Sequence, residues 1–321
     1  MSDLELVVAD TRALTPTIKR FELRRAGGGA LPPFTAGAHI DVAVTLPGGA
    51  LGRRSYSLVN SPMERDRYEI AVLREPQGSG GSAFMHQQVR AGDHLVAGAP
   101  RNDFPLADEA REHWLMAGGI GITPILAMAR VLAASERAFA LHYCARSAEA
   151  MAYREEIAAL AGDRARFYFD GGDPAQGLDL AALLAAPAPG RHVYVCGPKG
   201  MIDGVLAHCQ AAQWPREQVH FELFTSAKAE AGDQAFEVVL ARSGRSVPIP
   251  AGKTILETLL ETGEEPLSDC RRGECGVCVT EVLAGDPLHR DYYLTDSEKA
   301  AGKSMCICVS RARGTKLVLD L

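Results

Sequence analysis

The chain lacks the features that would carry it into a membrane or onto nucleic acid. None of its 321 residues falls in an apolar run long enough to span a bilayer, which takes about 20 residues. Met1 to Asp10 has neither a basic stretch nor a long apolar one, so no secretory leader is expected. Positive charge is in deficit: 34 Lys and Arg stand against 40 Asp and Glu, giving a net charge of −6. With a pI near 5.9, that balance disfavours nucleic acid and anionic lipid as partners. There is no internal repeat, and the Ala-rich stretches read as helices rather than as low complexity. Cysteine is too sparse for a disulfide framework, with eight residues in the whole chain. Three of them crowd into one loop, which points to metal use in a reducing, cytoplasmic compartment.

What is present is a globular composition, 47% apolar and 23% charged, over a length that suits two or three domains. The crowded loop is Cys270-Arg271-Arg272-Gly273-Glu274-Cys275-Gly276-Val277-Cys278, a C-x4-C-x2-C pattern. Cys308 follows after the 29 residues 279–307. This is the plant-type spacing for a 2Fe–2S cluster. The glycines let a tight loop turn its N–H groups toward sulfur. A zinc knuckle fits poorly, because zinc sites show two close Cys/His pairs. Cys306 and Cys308 are expected on one strand, where alternation would put both on the same face and fail to separate them. The spacing favours Cys308 as fourth ligand.

Upstream, Leu4–Val8, Ile18–Leu23, His39–Val44 and Tyr68–Leu73 are short, β-prone and separated by Gly/Pro clusters such as Pro47-Gly48-Gly49. They predict a small antiparallel barrel. Within it, Arg54-Ser55-Tyr56-Ser57-Leu58 alternates a guanidinium, a ring and hydroxyls. Such a run can ground a phosphate, cover a flat ring and hydrogen-bond a ring nitrogen, or it can be an ordinary strand. Gly78-Ser79-Gly80-Gly81-Ser82 runs into a helical stretch, Ala83–Val89. Gly-rich backbone entering a helix suits an anion; the alternative is a flexible loop with Ser82 as N-cap.

From residue 114 the pattern changes to alternating β and α. Trp114–Ala117 is a buried strand, then Gly118-Gly119-Ile120-Gly121-Ile122-Thr123-Pro124 leads into a helix reaching about Ala134. His192–Cys196 is another strand, ending in Gly197-Pro198-Lys199-Gly200 before a helix. The alternation predicts a parallel sheet with ligands beyond the carboxyl ends of its strands. Cys196 is by default a core cysteine; two glycine turns at the same edge favour a nicotinamide neighbour. The second strand ends near Cys144, before Ala145-Arg146-Ser147-Ala148-Glu149. Arg146 and Ser147 resemble a phosphate clamp, Glu149 suits a ribose, and Arg146 is equally readable as a solvated surface residue.

Thr225 to Gln234 is small, polar and unpatterned, and reads as a linker. Beyond it come a hairpin about Ser243-Gly244, a capping box at Thr254–Glu257 opening a helix, a strand at Val279–Leu283 and a capped turn at Thr295–Glu298. Strands against one helix begin a β-grasp fold.

Three motifs in this order resemble the phthalate dioxygenase reductase family, the FMN and 2Fe–2S reductases of Rieske-type oxygenases, together with demethylase reductases of the vanillate type. The resemblance covers the chain, including Arg101-Asn102-Asp103-Phe104-Pro105-Leu106 and the C-terminal run from Cys308 to Leu321. It implies an antiparallel β-barrel flavin domain (residues 1–105), a parallel α/β NAD-binding domain (106–226), a linker (227–235) and a C-terminal β-grasp ferredoxin domain (236–321). It implies that Arg54 meets the FMN phosphate, Tyr56 lies against the flavin ring, Ser57 sits near N5 within the motif shared with Ser55, and Gly80, Gly81 and Ser82 cradle the phosphate. Gly119, Gly121, Thr123, Cys196, Gly197 and Pro198 would hold the nicotinamide nucleotide, with Arg146 near its adenine or diphosphate. Phe224 would cover the flavin, making Ser57, Cys196 and Phe224 the residues of hydride transfer. Cys270, Cys275, Cys278 and Cys308 would ligate iron. The implied function is a cytoplasmic, monomeric reductase passing electrons from NADH to a Rieske-type oxygenase or O-demethylase.

Two other readings compete. An FAD-dependent reductase of a di-iron monooxygenase usually carries its ferredoxin domain first, and here it is last. A redox-sensing iron–sulfur protein would not need the two glycine turns of a hydride-transfer pocket.

Overall fold

Six strands open the chain, and most of them alternate buried apolar residues with more exposed ones. In the computed structural model, which describes residues 3–224, 230 and 232–321, they are β1 (Leu4–Ala13), β2 (Ile18–Arg25), β3 (His39–Thr45), β4 (Leu51–Ser57), β5 (Tyr68–Leu73) and, after helix α1 (Gly81–Gln87), β6 (His94–Ala97). They pair antiparallel in the order β4-β3-β6-β1-β2-β5, and a bridge between Leu58 and Ile70 nearly closes the barrel. Leu6, Val8, Phe21, Leu23, Ile40, Val42 and Ile70 fill it, with Met85 of α1 packed among them. The sequence motifs miss β6, which is four residues long and puts only Leu95 and Ala97 inward. Helix α1 begins at Gly81 rather than Ala83. Gly80, at φ 97, is its N-cap, and the Ser82 hydroxyl instead accepts the Glu75 N–H at 3.0 Å.

The next layer is a parallel sheet: β7 (Glu112–Gly118), α2 (Ile122–Ala134), β8 (Ala138–Ala145), α3 (Arg154–Ala161), β9 (Ala165–Phe169), α4 (Leu180–Leu183), β10 (Arg191–Cys196), α5 (Lys199–Ala211) and β11 (Val219–Glu222). Its order is β11-β10-β7-β8-β9. The chain builds outward from β7 through β8 and β9, then returns to lay β10 on the other side of β7. The order therefore reverses between β7 and β10, where open α/β sheets bind ligands. Helix α2 is apolar on nearly all sides and buried accordingly.

The last part holds β12 (Phe236–Leu240), β13 (Ser246–Ile249), α6 (Ile255–Glu261), β14 (Val279–Ala284), β15 (Pro287–Leu288), α7 (Asp296–Ala301), β16 (Ser304–Cys306), β17 (Arg311–Ala312) and β18 (Lys316–Leu319). The main sheet runs β13-β12-β18-β14-β16, with β15 and β17 as a separate ribbon. Helix α6 starts from a complete capping box between Thr254 and Glu257, and Ile255, Leu256 and Leu259 pack into the sheet core.

The chain divides into two compact units, Met1–Glu222 and Leu223–Leu321. The expected linker falls largely on residues 225–229 and 231, which lie outside the described residues. Its far end belongs to the second unit: Arg290 Nη2 lies 2.5 Å from Asp233 Oδ1, and Arg311 Nη2 donates to Gln234 O at 2.9 Å. Among the described residues, no helix is long and apolar enough to cross a membrane.

The parallel sheet also sets an acid limit. His142 is buried on β8, its ring stacked on Tyr168 and its Nδ1 2.9 Å from the Tyr168 hydroxyl. Burial, helped by Arg166, pushes its pKa down to about 4. The folded state then binds fewer protons than the unfolded chain, so stability is full above about pH 6.5 and is lost as pH falls toward 4. The shift corresponds to about 3 kcal/mol. Thermal melts from pH 7.5 to 4.5 should show a falling Tm whose slope diminishes in His142→Phe; an unaltered slope would rule out His142 as a source.

Candidate functional site

The cysteine loop folds about two glycines. Gly273 is at φ +79, and a Cβ there would lie 2.8 Å from Val309 Cγ2; Gly276 is at φ +75 and would meet the Tyr293 ring at 2.3 Å. The loop can therefore neither carry side chains at these positions nor leave the left-handed region without losing its packing. Its N–H groups turn onto sulfur: Arg272 N–H to Cys270 Sγ at 3.4 Å, Val277 and Cys270 N–H to Cys275, Cys308 N–H to Cys278 and Gly273 N–H to Cys308. The thiols come in two groups, Cys270 beside Cys275 and Cys278 beside Cys306 and Cys308, whose hydrogen bonds hold Cys278 well below the usual thiol range. Among the described residues, no group of three or more His, Cys, Asp or Glu side chains is placed to hold a single metal ion. Two neighbouring groups of sulfurs, with N–H donors turned onto Cys270, Cys275, Cys278 and Cys308, fit a two-iron cluster, in which four cysteines are shared between two irons.

The expectation that Cys306 and Cys308 share one strand face is corrected by the structure. Strand β16 ends at Cys306, whose carbonyl accepts the N–H groups of Val309 and Ser310 at 3.3 and 3.0 Å. Cys308 therefore sits in a turn, where strand alternation does not apply. Both sulfurs lie beside Cys278; that of Cys308 is also near Cys270 and Gly273, whereas Cys306 neighbours Asp291.

At the point where the parallel strands reverse order, the two glycine turns interlock. A Cβ on Gly121 would lie 2.1 Å from Cys196 O, and one on Gly118 would lie 2.6 Å from Pro198 Cδ and 2.8 Å from Met201 Sδ. Gly197 likewise leaves only 3.0 Å between an added Cβ and Gly118. Gly119, at φ +55, has open space where a Cβ would stand, as does Gly200. The Thr123 hydroxyl donates to Ile120 O at 3.0 Å, and Cys196 is fully buried.

The barrel motif meets the Gly-rich segment through Arg54. Its guanidinium donates to Arg53 O at 2.6 Å and bonds Ser79 Oγ. Its stem covers Gly81, where an added Cβ would come within 2.8 Å of Arg54 Cγ. Tyr56 packs, half-buried, against the barrel core. Ser55 is not part of this group: it alternates to the other face of β4, and its hydroxyl donates to Asp41 Oδ1 at 2.5 Å. Ser57 is buried at the end of β4.

Comparison with known proteins agrees with this layout. A 2Fe-2S iron-sulfur cluster binding domain matches residues 238–313, and an oxidoreductase NAD-binding domain matches residues 115–207. Vanillate O-demethylase oxidoreductase of Pseudomonas sp. strain HR199 is 43% identical over 320 residues, covering 99% of this chain and 100% of that protein. The chain belongs to the phthalate dioxygenase reductase family. The phthalate 4,5-dioxygenase oxygenase reductase subunit of Pseudomonas putida is 43% identical over 98% of this reductase and 95% of its own length. The solved structure of phthalate dioxygenase reductase, described as modular for electron transfer from pyridine nucleotides to a 2Fe–2S centre, superposes with a TM-score of 0.74 at 40% identity over 100% of this chain and 98% of that one. The reductase is thus an oxidoreductase of antiparallel barrel, parallel α/β sheet and 2Fe–2S domain.

After β8 of the reductase, Arg146 is exposed. The clamp suggested by Arg146 and Ser147 is altered by Glu149, which accepts a hydrogen bond from the Ser147 side chain; its own N–H and that bond hold its carboxyl below the usual range. Phe224 is the second residue of the second unit and is 37% exposed. The motifs had not pointed to Ser79 as Arg54's partner, nor to Tyr293 as the ring lying against Gly276. Only Ser79 left a trace in the sequence, inside the Gly-rich run; Tyr293 is remote from the cysteine loop and carries no motif.

Proposed function

We propose that this chain is the NADH-dependent reductase component of a Rieske-type aromatic-ring oxygenase or O-demethylase, a cytoplasmic monomer that carries FMN beside its 2Fe–2S cluster. The oxygenase partner follows from its relatives, named as an O-demethylase oxidoreductase and as a dioxygenase reductase subunit. The observation that carries the flavin is the convergence of Arg54 with Ser79 and Gly81 on one edge of the barrel. A guanidinium beside the backbone N–H groups that open a helix neutralises and orients a terminal phosphate. Tyr56, on the same face of β4, supports a flat ring. A bound flavin supplies the exchange between one hydride and two single electrons. Gly119 leaves room for a nucleotide to approach the sheet edge, and Cys196, Gly197 and Pro198 wall it on the β10 side. Cys270, Cys275, Cys278 and Cys308 hold the iron.

NADH is favoured over NADPH by the β8 loop. The Ser147 hydroxyl is given to Glu149, so Arg146 has lost its partner for a 2′-phosphate. The Glu149 carboxylate can accept from a ribose hydroxyl and repels a phosphate. Steady-state kinetics should give kcat/KM at least about tenfold higher for NADH, a discrimination of about 1.4 kcal/mol. Heating the holoprotein should release FMN. Release of FAD, or equal use of NADPH, would refute the corresponding part of the proposal.

A further inference from the structure

Strand β14 lies inside its sheet, between β18 and β16, yet its outward positions are Val279, Glu281 and Leu283. The solvent face of an antiparallel sheet is ordinarily polar, so two exposed aliphatics there are not explained by the fold. Val279 continues into an open cleft of ≈ 460 Å³ with Pro266, Leu267, Val277 and Leu321 among its lining. Leu267 is 80% and Val277 45% exposed. Val277 stands inside the cysteine loop, between Cys275 and Cys278, so the apolar surface reaches the cluster-binding segment itself.

The rim is mainly acidic: Glu264, Glu265, Glu281 and Asp320 line the cleft with one cation, Arg242. Arg242 is spent on Asp320 through two hydrogen bonds of 3.0 and 2.8 Å, and Arg245 pairs with Glu264 at 3.0 Å, so the negative charge of the rim rests mainly on Glu265 and Glu281. Over residues 236–321 the charges nearly balance, 13 acidic against 11 basic. The negative charge at this cleft is therefore local. An apolar floor with a charged rim is the anatomy of a specific, transient interface.

We propose that this cleft and the outer face of β14 are the surface on which the oxygenase component docks, through an apolar segment of the oxygenase flanked by Lys or Arg. The proposal rests on the oxygenase partnership argued above. What passes there is a single electron, lost by this chain's iron and gained by the oxygenase, with no atom transferred. Docking at Val277 puts the partner against the cluster-binding loop, and the acidic rim steers a basic partner toward it.

The test uses the full-length holoreductase and its own purified oxygenase component. Binding is measured by surface plasmon resonance at several salt concentrations. Arrival of electrons at the cluster is followed separately, as bleaching of its visible absorption by NADH in stopped flow. The double variant Glu265→Lys/Glu281→Lys should raise Kd at least about tenfold and flatten its salt dependence. Leu267→Gln should raise Kd about threefold with the salt dependence kept. Both should keep the wild-type bleaching rate. Unchanged Kd in both variants would overturn the proposal. So would slowed bleaching with unchanged Kd, which would assign the face to transfer within this chain. If the wild type bleaches normally yet binds no oxygenase, the partnership itself fails, and the docking surface with it.

Discussion

Cys308→Ser should lose the visible absorption of the cluster, while Cys306→Ser should retain it. The same sulfur-for-oxygen exchange is made at both positions, so the difference reports on ligation rather than on burial, which is nearly complete at each. Cys308 faces the cysteine loop: its sulfur accepts the Gly273 N–H and lies near Cys270. Cys306 closes β16 and faces Asp291 as well as Cys278. A ligand exchange costs more than the outer-shell changes that weaken metal sites by about 10–100-fold. NADH-driven cytochrome c reduction by Cys308→Ser is therefore expected to fall at least about a hundredfold. Ferricyanide reduction, which in the proposed function does not pass through the cluster, should survive. Cys306→Ser places a hydroxyl in a buried site and should cost roughly 1–2 kcal/mol of stability with the spectrum intact. The reverse pattern would move the fourth ligand to Cys306.

Gly121→Ala should be the most damaging single methyl in the two interlocked glycine turns. The added Cβ would stand 2.1 Å from the Cys196 carbonyl oxygen and 2.7 Å from the Gly197 nitrogen. Both obstacles are backbone, at the end of a central strand, so the strain cannot be relieved by rotating a side chain. A loss of about 3 kcal/mol is expected, at the upper end for overpacking. It should appear as a lower denaturation midpoint and as lost NADH oxidation even where the protein still folds. Gly119→Ala is the matched control. Its Cβ meets nothing within 4 Å, and only its φ of +55 is unfavourable, which costs about 1–2 kcal/mol. It should fold and lose activity only through crowding of the nucleotide. Equal stability of Gly121→Ala and wild type would show that the two turns are not locked together.

These two predictions divide along the line between what the sequence alone determines and what the tertiary structure decides. The cysteine spacing, the capping box at Thr254–Glu257 and the β-prone runs of β1, β2, β3 and β5 between Gly/Pro clusters are local. Each is a hydrogen bond, a ligand spacing or a run of β-prone residues contained within one loop, one helical turn or one strand, so the chain states them directly. Charge and composition likewise excluded membrane spans and a disulfide framework without any coordinates. Other features depend on which surfaces bury one another. The return of β10 to the far side of β7, which creates the ligand edge, follows from packing helices on both faces of the sheet. The meeting of Arg54 with Ser79, the Tyr293 ring over Gly276 and the ending of β16 at Cys306 each join segments far apart in sequence. No local pattern encodes them, because their geometry is fixed only when distant backbones come into contact, and that contact is what separates Cys308 from Cys306 and makes Gly121 irreplaceable.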